Sequence, residues 1–254
     1  MAQDGFNVCV AGRRPEPLAE AAAATGGHAV TADVRGPDDA RRAVGECVER
    51  FGRMDALVVS SGTGAGGAVL DQTLERWNRV IETNLTGAFL VCQAALEHLV
   101  PARGTIVTVA SLAGLRADPQ SVAYCASKAG LIMLTQCIAL DYGHLGVRAN
   151  CVCPGWIRTD MADAAMDELG ATRAVDREAA YRLAVADVPA QRAGRAEEAA
   201  AAVAWLSSPA ASYVNGAVLT VDGGAAVVDA GTLAFAPSRR AAPGVAGEPG
   251  GDRQ

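Results

Sequence analysis

The run Asn7-Val8-Cys9-Val10-Ala11-Gly12, the segment opening on Pro15 and closing at Gly26-Gly27, and the run His28-Ala29-Val30-Thr31-Ala32-Asp33 together decide how this chain folds. An apolar run gives way to an Ala-rich segment with Pro at its first position and Gly past its end, the asymmetry of a helix, and a second apolar run follows. The same unit repeats outward. A charged amphipathic stretch (37–51) leads to an apolar run (56–59), and a long helical pattern from about 71 to 99 leads to a run at 105–110. A helix over 122–142 precedes a run at 147–153, and an Ala-rich helix over 197–206 precedes a run at 217–221. Strands that alternate with crossover helices predict an α/β fold with a doubly wound parallel sheet. The strands are apolar almost throughout, as expected when helices cover both faces. One domain is expected over residues 1–236. Within it the Ala-, Asp- and Arg-rich stretch 160–192 reads as a helical flap, and the Pro/Gly/Arg-rich stretch 237–254 as a disordered tail.

The composition narrows the function. Of 254 residues, 50% are hydrophobic and 20% charged, which suits a packed globular core and excludes general disorder. The formal charge of −6 has the wrong sign for a chain that binds by neutralising phosphates, so nucleic acid is not an expected partner. Seven cysteines with no C-x-x-C spacing indicate neither a disulfide framework nor a metal ribbon. No apolar run reaches the ~18 residues of a membrane span, and the first residues lack the basic and apolar regions of a signal peptide. A soluble, cytoplasmic protein is the expectation.

The chain has 21 arginines and one lysine, and that lysine, Lys128, follows Tyr124 by four residues on one helical face. An ammonium is a compact point charge where a guanidinium is a wide fork, so a lysine kept against this background does something arginine cannot. Beside a phenol it stabilises phenolate, and a phenol so tuned exchanges protons with a carbonyl/alcohol pair. An exposed pair decorating a helix has the same spacing. Ser111 ends the run at 105–110, at the strand edge where open α/β sheets bind ligands; its hydroxyl can hold a substrate oxygen or merely cap the next turn. Asn84 is a poor residue for the middle of a helix, so either a water or neighbouring carbonyl requires it there or the helix is interrupted near Thr83-Asn84. Cys151 and Cys153 alternate with apolar residues and read as core.

Taken together, Tyr124-Cys125-Ala126-Ser127-Lys128, Ser111 upstream, Asn84 within Glu82-Thr83-Asn84-Leu85-Thr86-Gly87, the segment from Asn150 through Pro154-Gly155 to Thr159, and Asn215-Gly216 through Val221-Asp222-Gly223-Gly224 resemble the short-chain dehydrogenase/reductase family, in its 3-oxoacyl-carrier-protein reductase-like branch. The resemblance implies an oxidoreductase that moves a hydride between a nicotinamide cofactor and a carbonyl or secondary alcohol. It assigns Tyr124 as acid/base, Ser111 as the group that orients the carbonyl, Lys128 as the group that lowers the tyrosine pKa and binds the nicotinamide ribose, and Asn84 as holder of a relay water. Asp33 and Val34 would meet the adenine, Ser60 and Gly62 would lie along the cofactor, and Pro154, Gly155, Ile157 and Thr159 would line its nicotinamide side. Arg13, where NAD-preferring relatives carry an acid, implies a lean to NADP over NAD, although Arg13-Arg14 also suits a solvated loop. A homotetramer built on the helices at 71–99 and 122–142 is expected.

Two departures matter. The family's T-G-x-x-x-G-x-G turn and the strand before it are absent from the sequence, and Val59-Ser60-Ser61-Gly62 stands where relatives read N-N-A-G. The glycine turn brings backbone N–H groups to a pyrophosphate. In the order 3-2-1-4-5-6 the absent strand is central, so residues 1–254 alone are expected to be poorly stable and nearly inactive. A scaffold or pseudoenzyme is the competing function. The flap residues Arg158, Arg173, Arg177 and Arg182 suit either an acidic carrier or a solvated helix face.

Overall fold

A computed structural model describes residues 1–64 and 66–233; the expected tail at 237–254 lies outside them. Six strands and eight helices alternate along the described chain: β1 (Cys9–Gly12), α1 (Pro15–Thr25), β2 (His28–Thr31), α2 (Pro37–Phe51), β3 (Ala56–Val59), α3 (Leu74–Ile81), α4 (Gly87–Ala102), β4 (Thr105–Val109), α5 (Val122–Tyr142), β5 (Arg148–Pro154), α6 (Asp160–Arg173), α7 (Arg177–Ala184), α8 (Ala196–Ser207) and β6 (Val218–Val221). Every strand pairing is parallel, the Rossmann-like arrangement that the alternation predicts.

The strands form two sheets. β1 pairs only with β2, with Cys9 opposite His28, and β3-β4-β5-β6 form a separate sheet with Ala56 opposite Thr105 and Thr105 opposite Arg148. Among the described residues no ladder joins β1 to β3. The two units meet through helices instead. α2 lies along α4, and Val44 of α2 enters the main core with Ala88, Cys92, Ala95 and Leu99 of α4 and Leu131 and Ile138 of α5. At the same junction Gly87, the first residue of α4, sits so close to Val34 that a Cβ there would lie 2.8 Å from its Cγ2.

Neighbouring residues of the central strands point to opposite faces, and both faces are covered. Ile106, Cys151 and Cys153 face α4 and α5, whereas Val107 and Val152 face Val203 and Leu206 of α8. This is why these strands show no polar alternation. The helices are apolar enough that Leu74–Ala102 and Val122–Leu145 match a membrane span in length and composition, which the sequence reading does not single out. Here one face of each packs on the sheet and on its neighbours, while Leu74, Phe89, Met133 and Leu140 are exposed.

The expected single helix over 71–99 is two helices, α3 and α4, joined by a π turn at Glu82–Thr86. The interruption falls at Thr83-Asn84, and Thr83 Oγ1 bonds back to the Arg79 carbonyl at 2.8 Å. The stretch expected as a flap is α6 and α7, folded as a hairpin over a small core of its own, with Met166, Ala180 and Tyr181 buried in it. Arg177 bridges Asp163 and Asp167, and Arg158 pairs with Glu178 and lies over the Tyr181 ring. The acidic-carrier reading therefore loses two of its four arginines, because both already hold carboxylates within the hairpin.

Candidate active site

The carboxyl ends of the strands bring the sequence-predicted residues to one edge. Arg13 follows β1, Asp33 and Val34 follow β2, Ser60 and Gly62 follow β3, Ser111 follows β4, and Pro154, Gly155, Ile157 and Thr159 end or follow β5. Tyr124 and Lys128 come from the first two turns of α5, which starts at Val122.

Asn84 organises the centre. Held inward by the π turn and wholly buried, it accepts from the Thr63 N–H at 2.8 Å and donates to the Thr63 carbonyl at 2.9 Å and to Ser127 Oγ at 3.0 Å. Ser127 in turn donates to the Tyr124 carbonyl at 2.8 Å. One amide thus ties the loop after β3 to the helix that carries Tyr124 and Lys128. Of the reasons for an asparagine at this place, the structure displays the neighbouring carbonyl together with the helix interruption.

The Lys128 side chain is threaded through the core, with the residue only 4% exposed. Its ammonium donates to the Val109 carbonyl at 2.9 Å and lies 5.7 Å from the centre of the Tyr124 ring. Burial pulls its pKa down to about 8, with the Cys151 and Cys153 thiols acting in the opposite direction. The Ser111 hydroxyl lies beside the Tyr124 phenol: burial holds the phenol above its ordinary value, Ser111 opposes this, and Asp118 adds to the rise. Ser111 also accepts from the Ala113 N–H at 3.2 Å, so it both caps the following turn and faces the phenol.

Beside this pair the chain leaves room. A Cβ on Gly62 would lie 3.5 Å from Lys128 Nζ and 3.6 Å from Asn84 Oδ1, ordinary contact distances, so the glycine borders both groups without a side chain. The neighbouring Ser61 hydroxyl is buried with no partner. An ammonium with two further N–H groups, an orphan hydroxyl and a side-chain-free notch suit a ligand rich in hydroxyls, such as a ribose. On the far side of β5, Thr159 caps α6 by accepting from the Ala162 N–H at 3.3 Å, Gly155 donates to the Val221 carbonyl at 3.1 Å, and Ile157 bridges to Gly194.

The edge after β2 is charged and open. Asp33 receives both guanidinium and backbone donors from Arg35, at 2.6 to 3.1 Å. Arg35 and, more weakly, Arg13 hold the Asp33 carboxyl below its usual range. The Asp33 N–H donates to Asp39 at 2.8 Å. Sequence reasoning misses Arg35, Thr63 and Ser127. Ser127 lies within view in the Tyr124-to-Lys128 segment, whereas Thr63 takes part only through its peptide, which no side-chain pattern reveals.

Residues 1–226 match the family described as Enoyl-(Acyl carrier protein) reductase. Over 236 residues the chain is 39% identical to the Klebsiella aerogenes protein MoaE, covering 91% of this chain and 90% of that protein. It is 35% identical over 201 residues to a meso-2,3-butanediol dehydrogenase of Serratia marcescens, covering 79% and 76%. Among solved structures it resembles a single-substitution variant of actinorhodin polyketide ketoreductase with NADPH, with a TM-score of 0.83, 33% identity and 88% of each chain covered.

Proposed function

The chain belongs to the short-chain dehydrogenase/reductase family, and on that premise we propose that it transfers a hydride between a nicotinamide dinucleotide and a carbonyl or secondary-alcohol substrate. The observation that carries this reading is the Tyr124 phenol beside Ser111, with the buried Lys128 ammonium 5.7 Å from the centre of its ring. A bound dinucleotide supplies the hydride. In reduction the Ser111 hydroxyl orients the substrate oxygen and the Tyr124 phenol gives it a proton as charge develops there. That phenol, ordinarily protonated at neutral pH and raised further by burial, is in the form a proton donor requires. With a pKa of about 8 the Lys128 ammonium is mostly charged at pH 7, and it stabilises the phenolate left behind. Lys128 and Ser61 would hold the nicotinamide ribose, with Gly62, Pro154, Gly155, Ile157 and Thr159 around it. We assign Asn84 to positioning these groups rather than to the water of a relay, since its amide already serves Thr63 and Ser127.

Tyr124→Phe is expected to lower ketone reduction more than 100-fold, about 2.7 kcal/mol in barrier terms, while the cofactor titration is unchanged. Retention of more than about a tenth of turnover would overturn the assignment.

At the adenosine end, Asp33 and Val34 would meet the adenine, and Arg13, exposed beyond β1, supports NADP over NAD. NADPH is expected to show the lower KM, with Arg13→Asp reversing the order. The reading includes a soluble, cytoplasmic homotetramer; Phe89 on α4 and Met133 and Leu140 on α5 expose the apolar surface that assembly would cover. A second reading, a scaffold without turnover, is favoured by the missing ladder between β1 and β3. Absence of any NADPH-induced change in tyrosine or tryptophan fluorescence, with light scattering reporting a tetramer, would select the scaffold.

A further inference from the structure

A cleft of about 530 Å³ lies between α3, α6 and the loop after β3, walled by Gly66, Gly67, Arg76, Arg79, Gln120 and Glu168, and its volume is that of a small-molecule site. The main chain fixes the wall nearest the active site. Gln120 accepts from the Gly67 N–H through its carbonyl, at 2.7 Å, and from the Ala68 N–H through Oε1, at 2.9 Å, while Ser121 bridges to Gly67. These contacts hold Gln120 at φ 57°, in the left-handed region that residues other than glycine seldom enter. Gln120 precedes Tyr124 by four residues, so this wall lies roughly one helical turn, ~5.4 Å, from the residue assigned as acid. Gly67 is itself at φ 139°, and a Cβ there would lie 2.9 Å from Gln72 Oε1. Both polar atoms of that Gln72 amide are buried with no partner.

Another wall carries charge that the protein does not neutralise. Elsewhere Arg35, Arg42, Arg158, Arg177 and Arg192 each hold a carboxylate. Arg76 and Arg79, both exposed on α3, form no ion pair among the described residues. Three residues apart, they share one helix face, where like charges repel unless an anion lies beside them. Glu168 brings one carboxylate to the cleft against these two guanidinium groups, so positive charge is left over. We propose that the cleft takes the anionic end of the substrate, which makes that substrate a keto acid whose carboxylate meets Arg76 and Arg79 while its ketone reaches Tyr124. This deepens the oxidoreductase reading and rests on it. The ketone receives the hydride of the dinucleotide at carbon and the Tyr124 proton at oxygen, giving a hydroxy acid, and the carboxylate is unchanged. A guanidinium fork matches the two oxygens of a carboxylate, and the Gln72 amide, against Gly67, offers an unclaimed donor.

The experiment gives the full chain and NADPH a series of keto acids of rising length, 4-oxopentanoate, 5-oxohexanoate and 6-oxoheptanoate, together with the corresponding amides, and compares kcat/KM. The best acid is expected to exceed its amide by about tenfold or more, since bonds to an ionised acceptor are the stronger. Arg76→Gln and Arg79→Gln are each expected to cut that ratio several-fold, chiefly through KM, and the double substitution to bring it near unity. Glu168→Gln, which removes the competing carboxylate, is expected to raise it, and a fall would overturn the assignment of the cleft to an anion. Calorimetric titration of the acids with NADP+ present, which has no hydride to give, separates this proposal from the reading beneath it. Acid that binds, more weakly in Arg76→Gln, with no turnover of acid or amide would overturn the oxidoreductase reading and leave the anion site standing. Equal kcat/KM for acids and amides in the wild type would overturn the keto-acid assignment and leave the reading standing, as would an acid preference that the double substitution does not change. Neither binding nor turnover would overturn both.

Discussion

β4 and β5 lie between strands on both sides and beneath helices on both faces, whereas β1 and β2 pair only with each other and are partly exposed along most of their length. The contrast extends to what each region carries. Asn84, Ser127 and Lys128, at the four-stranded sheet, are held by buried hydrogen bonds to peptide groups and to one another. Asp33, Arg35, Asp39 and Arg42, around the two-stranded sheet, are held by charged pairs at or near the surface. Buried polar bonds are costly to break because the abandoned partner stays desolvated, while exposed ion pairs contribute ~0–1 kcal/mol. The residues assigned to the chemistry are thus fixed, and those assigned to choosing between dinucleotides stand where substitution costs little.

That comparison can be broken in four places. Asn84→Ala has the largest expected effect, because it strands both polar groups of the Thr63 peptide and a bond to Ser127; at ~1–3 kcal/mol for each orphaned group, a loss of about 4 kcal/mol is expected in urea unfolding. A loss below about 1 kcal/mol would show the network to be no firmer than the surface pairs.

Lys128 comes next, through pH. Its folded pKa of about 8 lies below the ordinary value of 10.5, so the unfolded chain binds more protons between those values and stability rises as pH rises through that window. From pH 7 to 9.5 this group is expected to return about 2 kcal/mol to the wild type. Lys128→Met removes the ammonium, so the stability difference between the two chains should shift by that amount. An unchanged difference would mean that the ammonium is better solvated than its burial indicates.

Gly87→Ala tests the junction between the two regions. The added methyl meets Val34 at 2.8 Å, and overpacking of this kind costs ~1–3 kcal/mol. Faster hydrogen exchange in β1 and β2 than in β4 and β5 is the accompanying sign, and Val34→Ala in the same chain is expected to restore part of the loss, since the Val34 carbonyl at 3.1 Å stays in place. The smallest effect is that of Arg35→Ala, within ~1 kcal/mol on unfolding, with its consequence confined to the NADPH titration.

How much of this is legible in the sequence follows the same division. Elements made by periodic apolar runs are readable to within a residue or two, as at Ala56–Val59, Pro37–Phe51 and Val122–Tyr142. The candidate site is readable where residue identity carries the proposed chemistry, as in Tyr124, Lys128 and Ser111. It is opaque where the peptide does the work: Asn84 bonds to Thr63 and Lys128 to Val109 through main-chain groups that every residue possesses. The helical pattern at 71–99 reads as continuous because a π turn changes hydrogen bonding without requiring a particular residue type.

The π turn at Glu82–Thr86 also makes this chain sensitive to length in a way that substitutions do not reveal. Its i→i+5 bonds wind about one residue more into the turn than an α-helix holds, so the extra residue is absorbed within Glu82–Thr86 and α3 and α4 keep their facing. Removing one residue would let the segment close as plain α-helix, with Ala88, Cys92, Ala95 and Leu99 still turned to the core, while the widened turn that aims Asn84 at Thr63 would be gone. A one-residue deletion here would spare the core and dismantle the site.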